Sequence, residues 1–156
     1  MIEIQIPGAP DLRIDHVLLD FNGTIALDGR LIDGVKEKIN QHSEQLAFHV
    51  ITADTFGSVQ KELEHVKCTL HTIPPGNQTA AKLEYLQELL PHRTIGVGNG
   101  ANDEQMLREA ILGIAVLGQE GLASRTLAAS DLLVSNILDL FAYFENPDRL
   151  VACLRQ

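Results

Sequence analysis

Six apolar runs of six residues each constrain this chain more than any other feature: "HVLLDF" (16–21), "AFHVIT" (47–52), "CTLHTI" (68–73), "TIGVGN" (94–99), "LGIAVL" (112–117) and "DLLVSN" (131–136). Each is short and largely apolar, which suits a buried strand. Between them lie segments with helical spacing at 33–46, 56–66, 77–90, 102–110 and 121–130. Asp33 is placed to cap the first of these helices. Strands alternating with helices predict βαβ units, hence an α/β protein with a mainly parallel sheet covered on both faces, a three-layer α/β/α Rossmann-like core. At 156 residues the chain is read as a single domain spanning 1–156.

The ends of the chain follow other patterns. "MIEIQI" alternates apolar and polar residues, "PGAPD" turns, and "LRI" returns, which predicts an N-terminal β-hairpin. The tail from Ile137 to Arg155 reads as helix, interrupted near Asn146-Pro147.

Composition removes several functions. A net charge of −9 argues against nucleic acid and anionic membrane surfaces, which need clustered Lys and Arg. A small phosphate ligand needs only a few local donors and stays open. No apolar run approaches the roughly 18–20 residues of a membrane span. The start of the chain reads as a strand and not as a signal peptide. Cys68 and Cys153 lie far apart and fit no metal spacing, so they read as thiols in a reducing cytoplasm. His42, His49, His65, His71 and His92 are scattered singly and read as surface or satisfied core histidines, with no ligand cluster.

In doubly wound sheets, ligands bind at the carboxyl ends of the strands near the switch in strand order. The first buried strand ends in "DFNGT", Asp20 to Thr24. The next ends in Thr52, Lys82 lies near the start of the helix after Pro74-Pro75, and the fourth ends in "GNGAND", Gly98 to Asp103. Singly, each has an ordinary reading: a turn aspartate, a strand-end threonine, a solvated lysine, a helix cap. Together they supply a carboxylate, a hydroxyl, an ammonium and a second acidic and amide cluster. That set suits a phosphoryl group with a divalent cation. Asp20 and Asp103 can share a hard ion such as Mg²⁺, and the ammonium and hydroxyl can hold phosphate oxygens.

These four stretches resemble the four motifs of the haloacid dehalogenase (HAD) superfamily of phosphohydrolases and phosphotransferases. The resemblance spans nearly the whole chain, and the first and fourth motifs carry its specificity. In flavour it is nearest to the phosphorylation domain of P-type ATPases and to the free-standing soluble proteins like it. The chain has no membrane helices, so it is not itself an ion pump. The resemblance implies that Asp20 is the nucleophile that becomes an aspartyl-phosphate. Asn22 would offer its backbone carbonyl to Mg²⁺, Gly23 would permit the tight turn, and Thr24 would steady the loop beside the substrate. Thr52 would hold a phosphate oxygen. Lys82 would pair with Asp20 and the phosphate. Asp103 would bind Mg²⁺ directly or through water, with Asn99 and Asn102 completing the loop.

Two positions depart from the family pattern. Most of its phosphatases have Asp where this chain has Asn22, and that Asp protonates the leaving oxygen and later activates water. Such help is worth about 10²–10⁴-fold, so the expectation is a phosphoenzyme that forms but turns over weakly. Asn99 stands where the family usually has Asp, which predicts weaker metal binding. The spacings between Thr24, Thr52 and Lys82 leave no room for a cap domain. A capless site is open to water and to bulky substrates, and such cores often borrow a lid from another subunit. That keeps a homo-oligomer open, with the N-terminal hairpin as the candidate contact or else an edge hairpin of its own subunit. The substrate expected is a small phosphorylated molecule. The alternative reading, sustained by Asn22 and Asn99, is a catalytically weak regulatory module that senses phosphate or nucleotide in the same pocket.

Overall fold

The structure is a computed structural model and describes residues 1–54 and 57–156. An antiparallel hairpin, β1 (Ile2–Ile4) and β2 (Leu12–Ile14), leads into β3 (His16–Asp20). A second small hairpin, β4 (Ala26–Leu27) and β5 (Arg30–Leu31), precedes α1 (Val35–His42). Then come β6 (Ala47–Thr52), α2 (Ser58–Glu62), β7 (Thr69–Thr72), α3 (Gln78–Glu88), β8 (Thr94–Gly98) and α4 (Glu104–Glu109). The chain finishes with β9 (Leu112–Val116), α5 (Ser124–Ala129), β10 (Leu132–Val134), α6 (Leu138–Glu145) and α7 (Pro147–Leu154).

Six strands form one parallel sheet in the order β10-β9-β8-β3-β6-β7. The chain builds outward from β3 through β6 to β7, then returns to the other side of β3 with β8. The switch point therefore falls between β3 and β8. One face of the sheet sends Val17, Leu19, Phe48, Val50, Ile95 and Val97 into a core closed by residues such as Ile39, Leu140, Phe141 and Leu150 of α1, α6 and α7. The other face sends Leu18 and Ile51 against Leu86, Met106 and Leu107 of α3 and α4. This is the three-layer α/β/α architecture that the six apolar runs predict.

Several details differ from the sequence reading. The stretch after Thr24, expected to be a turn region, forms the β4–β5 hairpin. Its turn places Asp28 and Gly29 at φ 51° and 76°, the positive values that an Asp-Gly type I′ turn needs. Asp33 does not cap α1: Gly34 occupies the N-cap position in a left-handed conformation, with no side-chain cap bond. The helix expected to start at Phe56 has its first residue outside the described ones, and α2 begins at Ser58. The tail breaks at Asn146, where Pro147 opens α7 in the first turn, whose N–H groups have no intrahelical partner.

The N-terminal hairpin buries Ile4, Leu12 and Ile14 in its own subunit's core. It lies at the amino ends of the strands: Asp15, between β2 and β3, donates its N–H to the Arg93 carbonyl and accepts from Ala47 N–H. The hairpin is thus at the opposite rim from Asp20 and does not cover its own chain's site.

Three histidines that look scattered in sequence come together. Parallel pairing sets His49 beside Leu18 and His71 beside Ile51. Alternation along the strands then puts His16, His49 and His71 on one face. His16 Nδ1 lies 3.2 Å from His49 Nε2, and His49 Nδ1 lies 3.0 Å from the Tyr85 hydroxyl. Burial first, and then the nearby His16 and His71, push the His49 ring down to about 4 from the usual 6.5. Between these values the unfolded chain binds the proton that the folded chain refuses, so stability falls as pH drops from 6.5 towards 4. The full shift would correspond to about 2 kcal/mol between pH 7 and pH 5. Discounting for water at the sheet's edge leaves ~1 kcal/mol. Urea unfolding of wild type and His49→Gln at both pH values should show this part of the loss in wild type only.

Candidate active site

Asp20 ends β3 next to the switch point, and the chain then turns sharply. The N–H groups of Thr24, Ile25 and Ala26 all point to the Phe21 carbonyl, at 3.3, 3.1 and 3.0 Å. Gly23 makes this turn possible in two ways. Its φ is +78°, and a Cβ there would lie 2.4 Å from Asn99 Nδ2. Any side chain at position 23 would separate the first-motif loop from the fourth.

Lys82 reaches in from the first half of α3. Its Nζ donates to Asp20 Oδ1 and to Asp103 Oδ1, each at 2.6 Å, and the residue is 1% exposed. The start of α3 is fixed by Asn77, whose side chain accepts from Ala80 N–H at 3.1 Å. Asp103 is fully buried. Its Oδ2 accepts from the N–H groups of Asn99 (3.0 Å) and Gly100 (2.9 Å), so both of its oxygens are engaged. This carboxylate folds back onto the Gly100 N–H, the cap of a short 3-10 turn at Ala101–Asp103, and makes no side-chain cap bond to α4. Gly98 makes room for it, since a Cβ there would stand 2.4 Å from Asp103 Cγ.

The triad of Asp20, Lys82 and Asp103 carries one net negative charge out of water. Burial and then the Asp103 charge push the Asp20 carboxyl up to about 7, against the pull of Lys82 and of the Thr24 hydroxyl. Burial alone would lower the Lys82 ammonium, but the two carboxylates outweigh it and hold the group above its ordinary value.

Beside the triad, the Thr24 hydroxyl lies 3.2 Å from Asp20 Oδ2 and 3.1 Å from Asn99 Oδ1. A hydroxyl has one proton, so only one of these contacts is satisfied at a time. Asn99 Nδ2 is fixed by the Gly121 carbonyl at 3.1 Å, which aims Oδ1 inward. Two hard oxygens, from Asp20 and Asn99, therefore converge with a hydroxyl and a shortage of hydrogen. That donor set fits a small oxygen-seeking cation of the Mg²⁺ type. No group of three His, Cys, Asp or Glu side chains capable of holding a metal occurs among the described residues.

Asp20, Asn22, Thr52, Lys82 and Asn99 line a common cavity of about 370 Å³. Thr52 is buried at the end of β6, and its Oγ accepts from Asp54 N–H at 3.1 Å. Asn22 is exposed at the mouth. Asp103 lies behind Lys82, and Gly23 and Thr24 face an adjoining groove of about 910 Å³ under the β4–β5 hairpin. Gln78 and Asp54 also line the cavity, and sequence reasoning did not single them out. Gln78 is one helical turn before Lys82, a spacing that could have flagged it. Its Oε1 accepts from Asn102 Nδ2 at 2.6 Å, tying α3 to the loop that carries Asp103.

With this geometry in place, the comparisons define a class. The 3-deoxy-D-manno-octulosonate (KDO) 8-phosphate phosphatase of Moraxella catarrhalis, solved with magnesium, phosphate and KDO, superposes with a TM-score of 0.65 at 18% identity. The match covers 91% of this chain and 94% of that one. The cobalt-bound deoxy-D-mannose-octulosonate 8-phosphate phosphatase of Haemophilus influenzae gives 0.71 at 10% identity, covering 92% and 94%. A HAD-family hydrolase from Streptomyces avermitilis gives 0.63 at 20% identity, covering 78% and 76%. This chain shares the fold of these solved structures, among them members of the HAD family.

The chain belongs to the same family as the uncharacterised protein MJ0073 of Methanocaldococcus jannaschii, with 42% identity over 84 residues, 51% of this chain and 90% of that protein. A second protein of that organism, MJ0072, is 46% identical over 39 residues, 25% of this chain and 89% of that protein. No protein-family profile matches the chain.

Lys82→Met would leave two buried carboxylates facing each other without a cation. Breaking a buried ion pair from one side costs about 3–5 kcal/mol. Urea unfolding at pH 7 should show a loss of that size, and Asp103→Asn in the same chain should recover part of it. A loss below ~1 kcal/mol would mean that the triad is not held as described.

Proposed function

We propose that this protein is a phosphotransfer enzyme of the HAD type that forms an aspartyl-phosphate on Asp20 and hydrolyses it slowly. The observation that supports this most directly is the Lys82 ammonium, 2.6 Å from both Asp20 and Asp103 at the carboxyl edge of the sheet. It holds the Asp20 carboxylate fixed at the floor of a cavity sized for a small ligand. The Asp20 carboxylate attacks the phosphorus of a small phosphorylated substrate, and the bond from phosphorus to the leaving oxygen breaks. The leaving group departs with the electron pair and takes its proton from solvent, because the Asn22 amide has none to give. Thr52 offers its hydroxyl proton to a phosphoryl oxygen. Water then attacks the phosphorus of the acyl phosphate, releasing phosphate and restoring Asp20.

Mg²⁺ would be held by Asp20, by the Asn22 backbone carbonyl and by Asn99, and it would neutralise charge on the phosphoryl group. Asp103 contributes from behind. Its charge keeps Lys82 protonated and in place, and Oδ1, which accepts only from Lys82, would keep a lone pair for Mg²⁺ directly or through a water. The likeness of "DFNGT" and "GNGAND" to P-type ATPase phosphorylation domains supports a long-lived phosphoenzyme. Among the described residues no helix is long and apolar enough to cross a membrane.

A second reading is favoured by the exposed Asn22: a binding module that holds phosphate without transferring it. Incubation with Mg²⁺ and acetyl phosphate, p-nitrophenyl phosphate or ATP separates the two. The enzyme reading expects acid-stable, alkali-labile phosphate on the wild type and none on Asp20→Ala. No label and no turnover with any donor would leave the binding module. Asn22→Asp, which supplies the missing acid–base group, should speed loss of the label by roughly 10²-fold. An unchanged decay rate would show that the missing carboxylate is not what slows the site.

A further inference from the structure

A second polar layer lies beneath the site on the same face of the sheet. It is the chain from Tyr85 to His49 to His16, with contacts of 3.0 and 3.2 Å, and the His71 ring stacks on Tyr85 at a centroid distance of 3.9 Å. Tyr85 and His49 are both buried. The layer draws on the elements that deliver the site. His16 opens β3, which ends at Asp20, and His49 lies in β6, which ends at Thr52. Tyr85 follows Lys82 by three residues on α3, so the two share a helix face. Leu18 and Ile51, two residues beyond His16 and His49 on their strands, put an apolar floor between the two layers.

Apolar packing alone does not fix a helix in register, because dispersion and burial are non-directional and tolerate a small slide or rotation. A hydrogen bond from a helix hydroxyl to a strand side chain does not tolerate it. Both His49 nitrogens are engaged, and a neutral ring has one N–H. The chain therefore runs in one direction at a time, either from Tyr85 through His49 to His16 or the reverse, and both orders satisfy it. Apolar residues at 49 and 85 would avoid the desolvation cost that these polar groups carry. The groups facing His49 are His16 from β3, His71 from β7 and Tyr85 from α3, with Glu88 near Tyr85.

We infer that Tyr85 and His49, backed by His16, are positioning residues that set the register of α3 on the sheet and so hold the Lys82 ammonium between Asp20 and Asp103. The kinetic consequence rests on the proposed phosphoryl transfer; the placement of Lys82 does not.

The test compares Tyr85→Phe, His49→Leu and the conservative His49→Gln with wild type. Three quantities are read: the Lys82 ammonium signal in ¹⁵N-lysine NMR spectra, the single-turnover rate of Asp20 labelling by acetyl phosphate with Mg²⁺, and the thermal midpoint. Tyr85→Phe and His49→Leu should move the Lys82 signal. They should slow labelling at saturating donor by about 10-fold with little change in the half-saturating concentration, because a misplaced group costs rate more than binding. His49→Gln, which still bonds to Tyr85, should stay close to wild type, and the Tyr85→Phe/His49→Leu double variant should be no slower than either single one. An unmoved Lys82 signal with an unchanged saturated rate overturns the inference, whatever happens to the thermal midpoint. If wild type accepts phosphate from no donor, the proposed function fails, and the Lys82 signal alone decides: movement upholds the positioning role and no movement overturns it. If His49→Leu does not fold, Tyr85→Phe, which removes one oxygen, carries the test.

Discussion

The ammonium of Lys82 stands 2.6 Å from carboxylate oxygens of both Asp20 and Asp103, and the three groups are almost completely removed from water. Two carboxylates in such a place repel each other, and even with the cation between them burial and that repulsion push the Asp20 carboxyl up to about 7; the Lys82 ammonium holds the pair in place as one unit. The three residues come from β3, α3 and the loop after β8, so the unit exists only if the sheet, the helix layer and the loop all arrive together. The backbone amides of Asn99 and Gly100, the room left by Gly98 and the close approach of Gly23 to Asn99 all serve that meeting.

The topology explains why the meeting occurs at this edge. Growth from β3 to β7 and the return to β8 open a crevice beside β3, and the turns at both sides of that crevice carry the polar groups. The connections from β3 to β6 and from β6 to α3 contain a two-residue-stranded hairpin, short helices and a strand, so among the described residues no separate domain covers the crevice. The site has a buried floor, and Asn22 is exposed at its mouth. On the proposed function the floor would accept a phosphoryl group, and the mouth would lack the group that removes it quickly.

Much of this was legible in the letters. The six apolar runs set the strand count and the parallel sheet, because a strand buried on both faces must be apolar throughout. Asp20, Thr52, Lys82 and Asn99 could be picked out by their positions at strand and helix ends. The β4–β5 hairpin is signalled by Asp28-Gly29, but strands of only two residues are too short to show an alternating pattern. Asp33 looked like a helix cap, but the backbone at Gly34 took that position without a side chain. Gln78 could have been found from its spacing to Lys82.

What the sequence by itself determined is the layered fold and the inventory of groups at its edge, since periodicity and strand ends are local properties. The tertiary structure decided which of those groups touch. Asp103 reads in sequence as a metal ligand, and only the folded loop after β8 adds its bonds to Lys82 and two backbone amides. His49 and His71 read as isolated, yet strand order and register bring them to one face with His16 and Tyr85. The bonds from Lys82 to Asp103, His16 to His49 and His49 to Tyr85 join positions 21, 33 and 36 residues apart, and such meetings are set by how strands pair and helices pack, which no local pattern encodes.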